Sequence, residues 1–272
     1  MSEPNSLNKL WAEGGSAVNA WLAINSPVSA EMMAKAGWDT VTIDTQHGMI
    51  DLGQAMTMIQ TVSGAGAIPL VRVPWNDPVY IKRALDIGVM GIMVPYVQNA
   101  EEARAAVSAC RYPPRGIRGV APHAGRCSRW GARLDEYRKA WPKQLLLMCQ
   151  IETEEAVKNI DEIAAVDGVD MLFLGPSDIS ASAGHMLDMV HPEVNALMER
   201  AERNLRRTNK LLGTVIRPGQ TLNWTYERGY DFIVAGNDAR LLGAAAQAQV
   251  GGFHDKPPKR PKRSNAPHRN RR

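Results

Sequence analysis

The sequence predicts an α/β fold, a closed (β/α)8 barrel of the TIM type. Short apolar runs, too short for helices, alternate eight times with segments of helix length. The 272 residues are close to the roughly 250 that one such barrel needs. A doubly wound open sheet would show the same alternation, but it favours a glycine-rich phosphate turn after its first strand, where this chain has Asn25-Ser26-Pro27. The barrel is therefore the favoured fold.

The predicted strands are nearly continuous apolar runs, which is typical of parallel strands covered on both faces. In chain order they are Ala17 to Ile24, Thr40 to Ile43, Pro69 to Arg72, Gly91 to Val94, Leu145 to Cys149, Met171 to Leu174, Gly213 to Ile216 and Phe232 to Val234. Proline at the first helical position and glycine after the last mark the helix boundaries well. Helices are predicted over Pro27 to Ala36, Pro78 to Gly88, Glu101 to Cys110, Pro192 to Asn209, Gln220 to Arg228 and Asp238 to Gln249.

The segment from Arg111 to Lys143 is too long for an ordinary connection within a barrel. It is rich in arginine, glycine, proline and tryptophan. We expect a functional loop or a subunit contact there.

Cysteine usage and hydropathy indicate a soluble protein of the reducing cytoplasm. The three cysteines have no Cys-x-x-Cys spacing, so neither a disulfide framework nor a zinc site is predicted. No apolar stretch reaches about 18 residues, and the first residues lack the pattern of a signal peptide. Neither a membrane span nor secretion is expected.

The last 18 residues differ in composition from the rest of the chain. Residues 255–272 hold eight lysines and arginines against one aspartate, a net charge of +7, so the net +4 of the whole chain leaves −3 for residues 1–254. We predict one barrel domain over residues 1–254 and a disordered, basic, proline-rich tail over residues 255–272. A solvated extension is the favoured interpretation of the tail, and attachment to nucleic acid or an anionic membrane is the alternative.

Two carboxylates follow neighbouring predicted strands. Glu152 comes after the fifth strand and Asp178 after the sixth, with one helix-length segment between them. Because adjacent parallel strands lie roughly 5 Å apart, the two charges would repel unless a cation lies between them or one keeps its proton. A divalent metal is the simplest resolution, and helix capping by Asp178 is the structural alternative.

Two further polar residues end strands or follow them. His47 lies in a turn after the second strand, where it is a candidate base or a hydrogen-bonded structural histidine. Arg72 ends the third strand, and a buried guanidinium needs an anion, which we expect to be Glu152 or a ligand. A purely structural arginine–carboxylate pair is the alternative.

Four motifs in this order resemble the 4-hydroxy-2-oxoheptanedioate aldolase family of metal-dependent class II pyruvate aldolases. The resemblance runs from about Leu7 to Gln249. The motifs are Ile43-Asp44-Thr45-Gln46-His47-Gly48, Val71-Arg72-Val73-Pro74-Trp75-Asn76-Asp77, Arg111-Tyr112-Pro113-Pro114-Arg115-Gly116-Ile117-Arg118-Gly119 and Leu174-Gly175-Pro176-Ser177-Asp178-Ile179-Ser180.

The resemblance implies a barrel in a homohexamer, a trimer of dimers with exchanged C-terminal helices, using Mg²⁺, Mn²⁺ or Co²⁺. It implies that Glu152 and Asp178 are metal ligands, that His47 is the acid/base and that Arg72 stabilises the enolate. It also implies that Asp86 raises the basicity of the histidine, and that Gln150 and the backbone of Gly175 and Ser177 contact the pyruvyl carboxylate. Trp21 would be a pocket wall, and Arg126 an arginine reaching across a subunit boundary.

The chain departs from the family pattern in two places. Thr45-Gln46 stands where the family usually has Gly-Glu before the histidine, which removes one local charge and should weaken the electrostatic support for a cationic histidine or a metal-bound water. The loop after Ser180 has Ala183-Gly184-His185 instead of a Leu-Gly pair, and His185 is not predicted to be a ligand.

The predicted reaction is reversible cleavage of a 4-hydroxy-2-oxo acid to pyruvate and an aldehyde through a metal-stabilised enolate. A Schiff-base route would need a lysine in a strand, and no predicted strand has one. The alternatives are an acyl-CoA lyase of the malyl-CoA or citramalyl-CoA type and a catalytically silent scaffold. Arg126 and Arg217 are candidates for binding a second carboxylate, which would favour dicarboxylic or sugar-acid substrates.

Overall fold

The computed structural model describes residues 6–141 and 143–255 and contains a closed barrel of eight parallel strands. Each strand pairs with the next in sequence, and β8 closes the barrel on β1. The predicted fold class is confirmed. The basic tail, apart from Asp255, lies outside the described residues.

Every strand consists of apolar or small residues over most of its length. The strands are β1 Ala17–Leu22, β2 Thr40–Asp44, β3 Ile68–Arg72, β4 Gly91–Val94, β5 Leu146–Ile151, β6 Met171–Leu174, β7 Leu211–Val215 and β8 Phe232–Asn237.

Helices fill the connections between the strands, and a short helix precedes β1. They are α1 Ser6–Ala12, α2 Pro27–Lys35, α3 Leu52–Ala65, α4 Pro78–Asp86, α5 Ala100–Cys110, α6 Leu134–Ala140, α7 Glu154–Lys158, α8 Ile160–Ala164, α9 Pro176–Ser182, α10 Pro192–Leu205, α11 Leu222–Glu227 and α12 Asp238–Asp255. Side-chain caps start several of them: Asp51 and Gln54 form a reciprocal capping box at α3, and Asp77 caps α4 before Pro78.

The alternation of side chains along the strands produces two apolar cores. One lies between the strands and the surrounding helices. The other fills the barrel interior, where Phe173 packs against Trp21 and Phe232 with ring centroids 6.1 and 6.3 Å apart. The inward positions at the carboxyl ends of the strands carry polar groups instead, so the interior is a packed core below a polar mouth.

The observed elements differ from the predicted ones in several places, of which β7, the segment between β5 and β6, and the long connection after α5 are the clearest. β7 begins at Leu211, because the Leu211 amide donates to the Asp170 carbonyl and the Leu212 amide to the Asp231 carboxylate. The segment between β5 and β6 forms two short helices, α7 and α8, rather than one. The long connection contains helix α6 and a 3-10 turn over Arg126–Ser128.

The chain direction gives the barrel two functionally different ends. The loops that follow the strands surround the mouth, whereas the loops that follow helices α4 and α5 lie at the opposite end. Among the described residues, no helix is both long and apolar enough to cross a bilayer.

Glycine at position 213 is required by the rigid packing of the barrel interior. A Cβ there would lie 2.7 Å from Cδ2 of Phe173 and 3.0 Å from the sulfur of Met171. Gly213→Ala should therefore lower the free energy of unfolding by about 1–3 kcal/mol, measured by denaturant unfolding. In Gly64→Ala, where a Cβ meets nothing within 4 Å in α3, the free energy should stay unchanged or rise. An equal loss in both variants would contradict the packing argument.

Candidate active site

A buried ion pair joins the ends of β2 and β3 at the barrel mouth. Asp44 and Arg72 are 2% and 3% exposed and are paired in the sheet register. Nε of Arg72 donates to Oδ1 of Asp44 at 2.9 Å and Nη2 to Oδ2 at 2.6 Å. The guanidinium also lies 3.9 Å from the ring centroid of Trp21, a cation–π contact. The arginine is thus fixed from two sides, and Nη1 makes no hydrogen bond within the described residues.

The anion of Arg72 is therefore Asp44, not the predicted Glu152. Sequence reasoning missed Asp44 as a site residue, although it ends its strand at the same level as Arg72 ends the next one. The missed signal was an acidic residue at the inward position of an otherwise apolar strand end.

The same carboxylate shapes the turn that carries His47. Oδ1 of Asp44 accepts hydrogen bonds from the amides of Gln46 at 3.0 Å and His47 at 3.3 Å. Gly48 passes close to the strand, and a Cβ there would lie 2.3 Å from the Asp44 carbonyl oxygen. His47 is exposed above the mouth, where its ring can meet a ligand.

Thr45 and Gln46, which depart from the family pattern, have separate environments. Thr45 donates from its amide and its hydroxyl to the Arg72 carbonyl, at 3.0 and 2.6 Å. Oε1 of Gln46 is buried without a hydrogen-bond partner. Where the family usually has glutamate, Gln46 thus places a neutral side chain beside the mouth, and its Oε1 accepts no hydrogen bond.

Glu152, the residue after β5, is buried at 3% exposure and accepts a hydrogen bond from the Tyr96 amide at 2.9 Å. Burial and, next in size, the nearby Asp178 carboxylate raise the pKa of Glu152 to about 7. β5 and β6 pair up to Ile151 and Leu174, so the strands bring the two carboxylates together as the sequence predicted.

Asp178 does not cap helix α9. The cap position is Gly175, no side chain caps the helix, and Asp178 stands exposed in the first turn. The capping alternative is therefore wrong, and the carboxylate is free to face a ligand. Ser177 beside it donates from its hydroxyl to the sulfur of Met189 at 3.4 Å.

Gln150 and Gly175 lie beside Glu152 in different ways. Gln150 is 1% exposed, and its Oε1 has no hydrogen-bond partner. The Gly175 amide already donates to the Ile151 carbonyl at 3.0 Å, so its predicted contact with a substrate carboxylate stays a prediction. A Cβ on Gly175 would lie 2.7 Å from Cγ of Glu152, so glycine is needed there to leave room for that side chain.

These residues fit a hard divalent cation. Glu152 is buried, its pKa is raised, and the carboxylate of Asp178 lies nearby. The two carboxylates are therefore a pair of oxygen ligands that lacks a counter-charge. Mg²⁺ and Mn²⁺ are commonly bound by one or two carboxylates together with water and substrate oxygens. Glu152 and Asp178 would hold such an ion.

Asp86 and Arg126 do not join the mouth of their own barrel. Asp86 ends α4 and accepts from the buried Arg118 at 2.7 Å. Nη1 of Arg126 donates to the Ile87 carbonyl at 3.1 Å. Both therefore lie at the end of the barrel opposite the mouth, and within one chain Asp86 cannot act on His47.

Three comparisons identify the relatives of this fold and site. Residues 18–245 match the family model described as "HpcH/HpaI aldolase/citrate lyase". The chain belongs to this family. It is 41% identical to a 4-hydroxy-2-oxo-heptane-1,7-dioate aldolase of Escherichia coli, over 92% of this chain and 95% of that protein. It is 42% identical to the protein of that name from Klebsiella pneumoniae, over 87% and 89%.

A solved HpcH/HpaI aldolase/citrate lyase family protein from Burkholderia cenocepacia has the same barrel. The TM-score is 0.86, with 31% identity over 92% of this chain and 99% of that one. The predicted aldolase family is confirmed, and an aldolase is favoured over an acyl-CoA lyase.

The Asp44–Arg72 pair should be important for folding as well as for the site. Asp44→Asn would leave a buried cation without its counter-charge, so we expect the free energy of unfolding to fall by about 3 kcal/mol or more. Glu136→Gln breaks the exposed pair with Arg133 and should cost less than about 1 kcal/mol. Denaturant unfolding measures both, and equal losses would show that burial of the Asp44 pair is unimportant.

Proposed function

We propose that the chain is a divalent-metal-dependent pyruvate aldolase that reversibly cleaves 4-hydroxy-2-oxo acids to pyruvate and an aldehyde. The observation that carries the proposal is the placement of Glu152 and Asp178 at the ends of adjacent strands, opposite a rigidly held Arg72. The names of the relatives support the substrate class. When bound by the two carboxylates, Mg²⁺, Mn²⁺ or Co²⁺ would supply Lewis-acid polarisation of the 2-oxo carbonyl.

The residues of the chain account for the proton and charge movements. His47, on its exposed turn, accepts the proton of the 4-hydroxyl group directly or through water. The C3–C4 bond then breaks, the aldehyde leaves, and the electron pair passes into the enolate of pyruvate. The free N–H groups of Arg72 Nη1 stabilise the charge on the enolate oxygen. Return of the proton from His47 to C3, directly or through water, completes pyruvate and restores the base.

The pocket walls orient the 2-oxo acid. The side chain of Gln150 lies beside Glu152, and its NH₂ group can donate to the carboxylate end of the substrate, whereas the unpaired Oε1 can only accept. In the first turn of α9, the Ser177 amide donates to no acceptor among the described residues and can serve the same carboxylate. Trp21 supports the guanidinium of Arg72 from below and closes that side of the pocket.

A Schiff-base mechanism is disfavoured by the positions of the lysines. None of the eight observed strands contains a lysine. Lys210, close to β7, donates to the carbonyls of Val166 and Val169 at the end opposite the mouth. Within the part of the chain that the structure describes, no strand therefore places a lysine amine at the mouth.

We assign Arg126 and Asp86 to a neighbouring subunit's site in a homohexamer. Both lie at the wrong end of their own barrel, and Arg126 belongs to the connection over residues 111–143 that we predicted to be a functional loop or a subunit contact. Arg126 is half-buried and has no carboxylate partner within the described residues, so it can meet an anionic substrate group of the neighbour.

Arg217 is not a second-carboxylate group in this arrangement. Its Nη1 donates to the Met189 carbonyl at 3.1 Å and to Oδ1 of Asn195 at 2.7 Å. When the side-chain amide of Gln220 is oriented with its oxygen toward Arg217, that oxygen accepts from Nε at 3.2 Å and from Nη2 at 3.0 Å. The arginine thus holds the loop after α9, which leaves Arg126 as the candidate for the distal carboxylate of a dicarboxylic substrate.

Removal of divalent metal should abolish cleavage of 4-hydroxy-2-oxo acids, and Mn²⁺ or Mg²⁺ should restore it.

Glu152→Gln should reduce turnover by at least about a hundredfold, because one charged metal ligand is lost. Glu155→Gln, an exposed position on α7, is the matched control and should keep wild-type activity. A coupled assay for pyruvate measures both, with malyl-CoA as the competing substrate. Full activity after rigorous chelation, or covalent trapping by borohydride with pyruvate, would refute the metal mechanism.

The cross-subunit position of Arg126 can be tested by mixing inactive variants. His47→Ala and Arg126→Ala should each be inactive alone, but reassembled mixtures should recover up to about one quarter of wild-type activity if each site takes one residue from each of two subunits. Mixtures that stay inactive after proven subunit exchange would show that each site takes both residues from one subunit.

A further inference from the structure

The loop between α9 and α10 brings together two histidines and a glutamate outside the proposed active site. One potential ligand atom from each of His185, His191 and Glu193 lies within 4.8 Å of the others. Nε2 of His185 is 2.8 Å from Oε2 of Glu193, and the two imidazole rings stack with centroids 3.5 Å apart. Within the described residues, this is the one group of three or more such side chains close enough to share an ion.

We propose that His185, His191 and Glu193 form a second metal site, selective for Zn²⁺ and similar transition-metal ions. Two imidazoles and one carboxylate suit Zn²⁺, Ni²⁺ or Cu²⁺, whereas the all-carboxylate pair Glu152 and Asp178 suits Mg²⁺ and Mn²⁺. The two sites would therefore take different ions.

The ligand atoms are already available for binding. Nδ1 of His191 accepts a long hydrogen bond, 3.3 Å, from the Glu193 amide, so it carries a lone pair rather than a proton. Nε2 of His185 and Oε2 of Glu193, 2.8 Å apart, share one hydrogen bond. The proton between His185 and Glu193 is the one that an ion would displace.

The spacing is close to that of a zinc site. Tetrahedral Zn²⁺ with bonds of about 2.0–2.2 Å holds its ligand atoms roughly 3.3 Å apart. The side chains of His185 and Glu193 are 26% and 59% exposed, so each can rotate by the small amount required. Water would complete the coordination.

Backbone and side-chain hydrogen bonds fix the loop that presents these ligands. The His185 amide donates to the Ser180 carbonyl at 2.7 Å, and the His191 amide to the Asp188 carbonyl at 3.2 Å. The Leu187 amide donates to the buried hydroxyl of Ser180 at 3.1 Å. The two histidines are therefore held on one side of the loop before any ion binds.

The loop also contacts the proposed active site. Its Met189 accepts from Ser177 through sulfur and from Arg217 through the carbonyl. An ion bound by His185, His191 and Glu193 would join the start of α10 to the end of α9 and so restrict the segment beside Asp178. The expected effect is stabilisation of this wall of the mouth, with no part in the chemistry.

Zinc binding to the full chain, measured by competition with a chromophoric chelator, tests this site. His185→Phe keeps a ring for stacking but has no ligand nitrogen, and His191→Asn keeps a side chain that can cap α10. Each should lose one zinc equivalent per chain or weaken it at least about tenfold. His123→Asn, an exposed histidine outside the cluster, is the matched control and should bind zinc as the wild type does.

Two further readouts separate this site from the proposed active site. Zinc should raise the melting temperature of the wild type more than that of His185→Phe, while Mg²⁺-supported turnover of His185→Phe should stay close to wild type. Asp178→Asn should lose a different metal equivalent and retain the one that depends on His185. Unchanged zinc stoichiometry and affinity in both His185→Phe and His191→Asn would overturn the proposal, as would an equal loss in His123→Asn.

Discussion

The pairing of Asp44 with Arg72 organises the barrel mouth. One carboxylate accepts two hydrogen bonds from the guanidinium and two from the amides of the His47 turn. The orientation of the arginine and the path of the loop after β2 therefore depend on the same side chain. Burying two charges costs desolvation energy that their attraction offsets only when the geometry is good. Here the two-pronged contact and the Trp21 ring provide that geometry, and they leave one face of the guanidinium free for a substrate.

The distribution of charge around the Asp44–Arg72 pair explains why a cation is needed at Glu152 and Asp178, which follow β5 and β6. Asp44 neutralises Arg72, so the arginine offers little compensation to Glu152 and Asp178. Burial and mutual repulsion consequently leave Glu152 with a pKa raised to about 7. A divalent ion removes this repulsion and leaves coordination positions for a 2-oxo acid. In the proposed mechanism, the anionic substrate would lie between the ion and the free nitrogen of Arg72, with positive charge on both sides.

The sequence predicts the fold well because buried parallel strands leave a clear apolar signal, and it predicts Glu152 and Asp178 together because the ends of neighbouring strands must meet. It could not identify the partner of Arg72, since the choice between Asp44 and Glu152 depends on which side chains face inward at the same level. The start of β7 at Leu211 depends on hydrogen bonds that its amides donate to residues 170 and 231, which lie far away along the chain. The position of Asp86 shows a different limit, because the matching motif gives it a role beside a histidine without telling which subunit's histidine that is, whereas for Arg126 the resemblance already implied a subunit boundary.

The loop after α9 shows how a chain can keep the chemistry of its family and still differ beside the active site. Arg217 and Ser180 hold the backbone of this loop through hydrogen bonds, so we expect substitutions on its exposed side to leave the mouth undisturbed. That side is where His185 faces His191 and Glu193. Because oxygen-only and imidazole-containing ligand sets prefer different ions, two metal sites can lie close together with little competition for the same ion. Such a chain could use one ion for the reaction and another to fix the wall of its pocket, and the rigidity of that wall would then depend on the supply of zinc rather than magnesium.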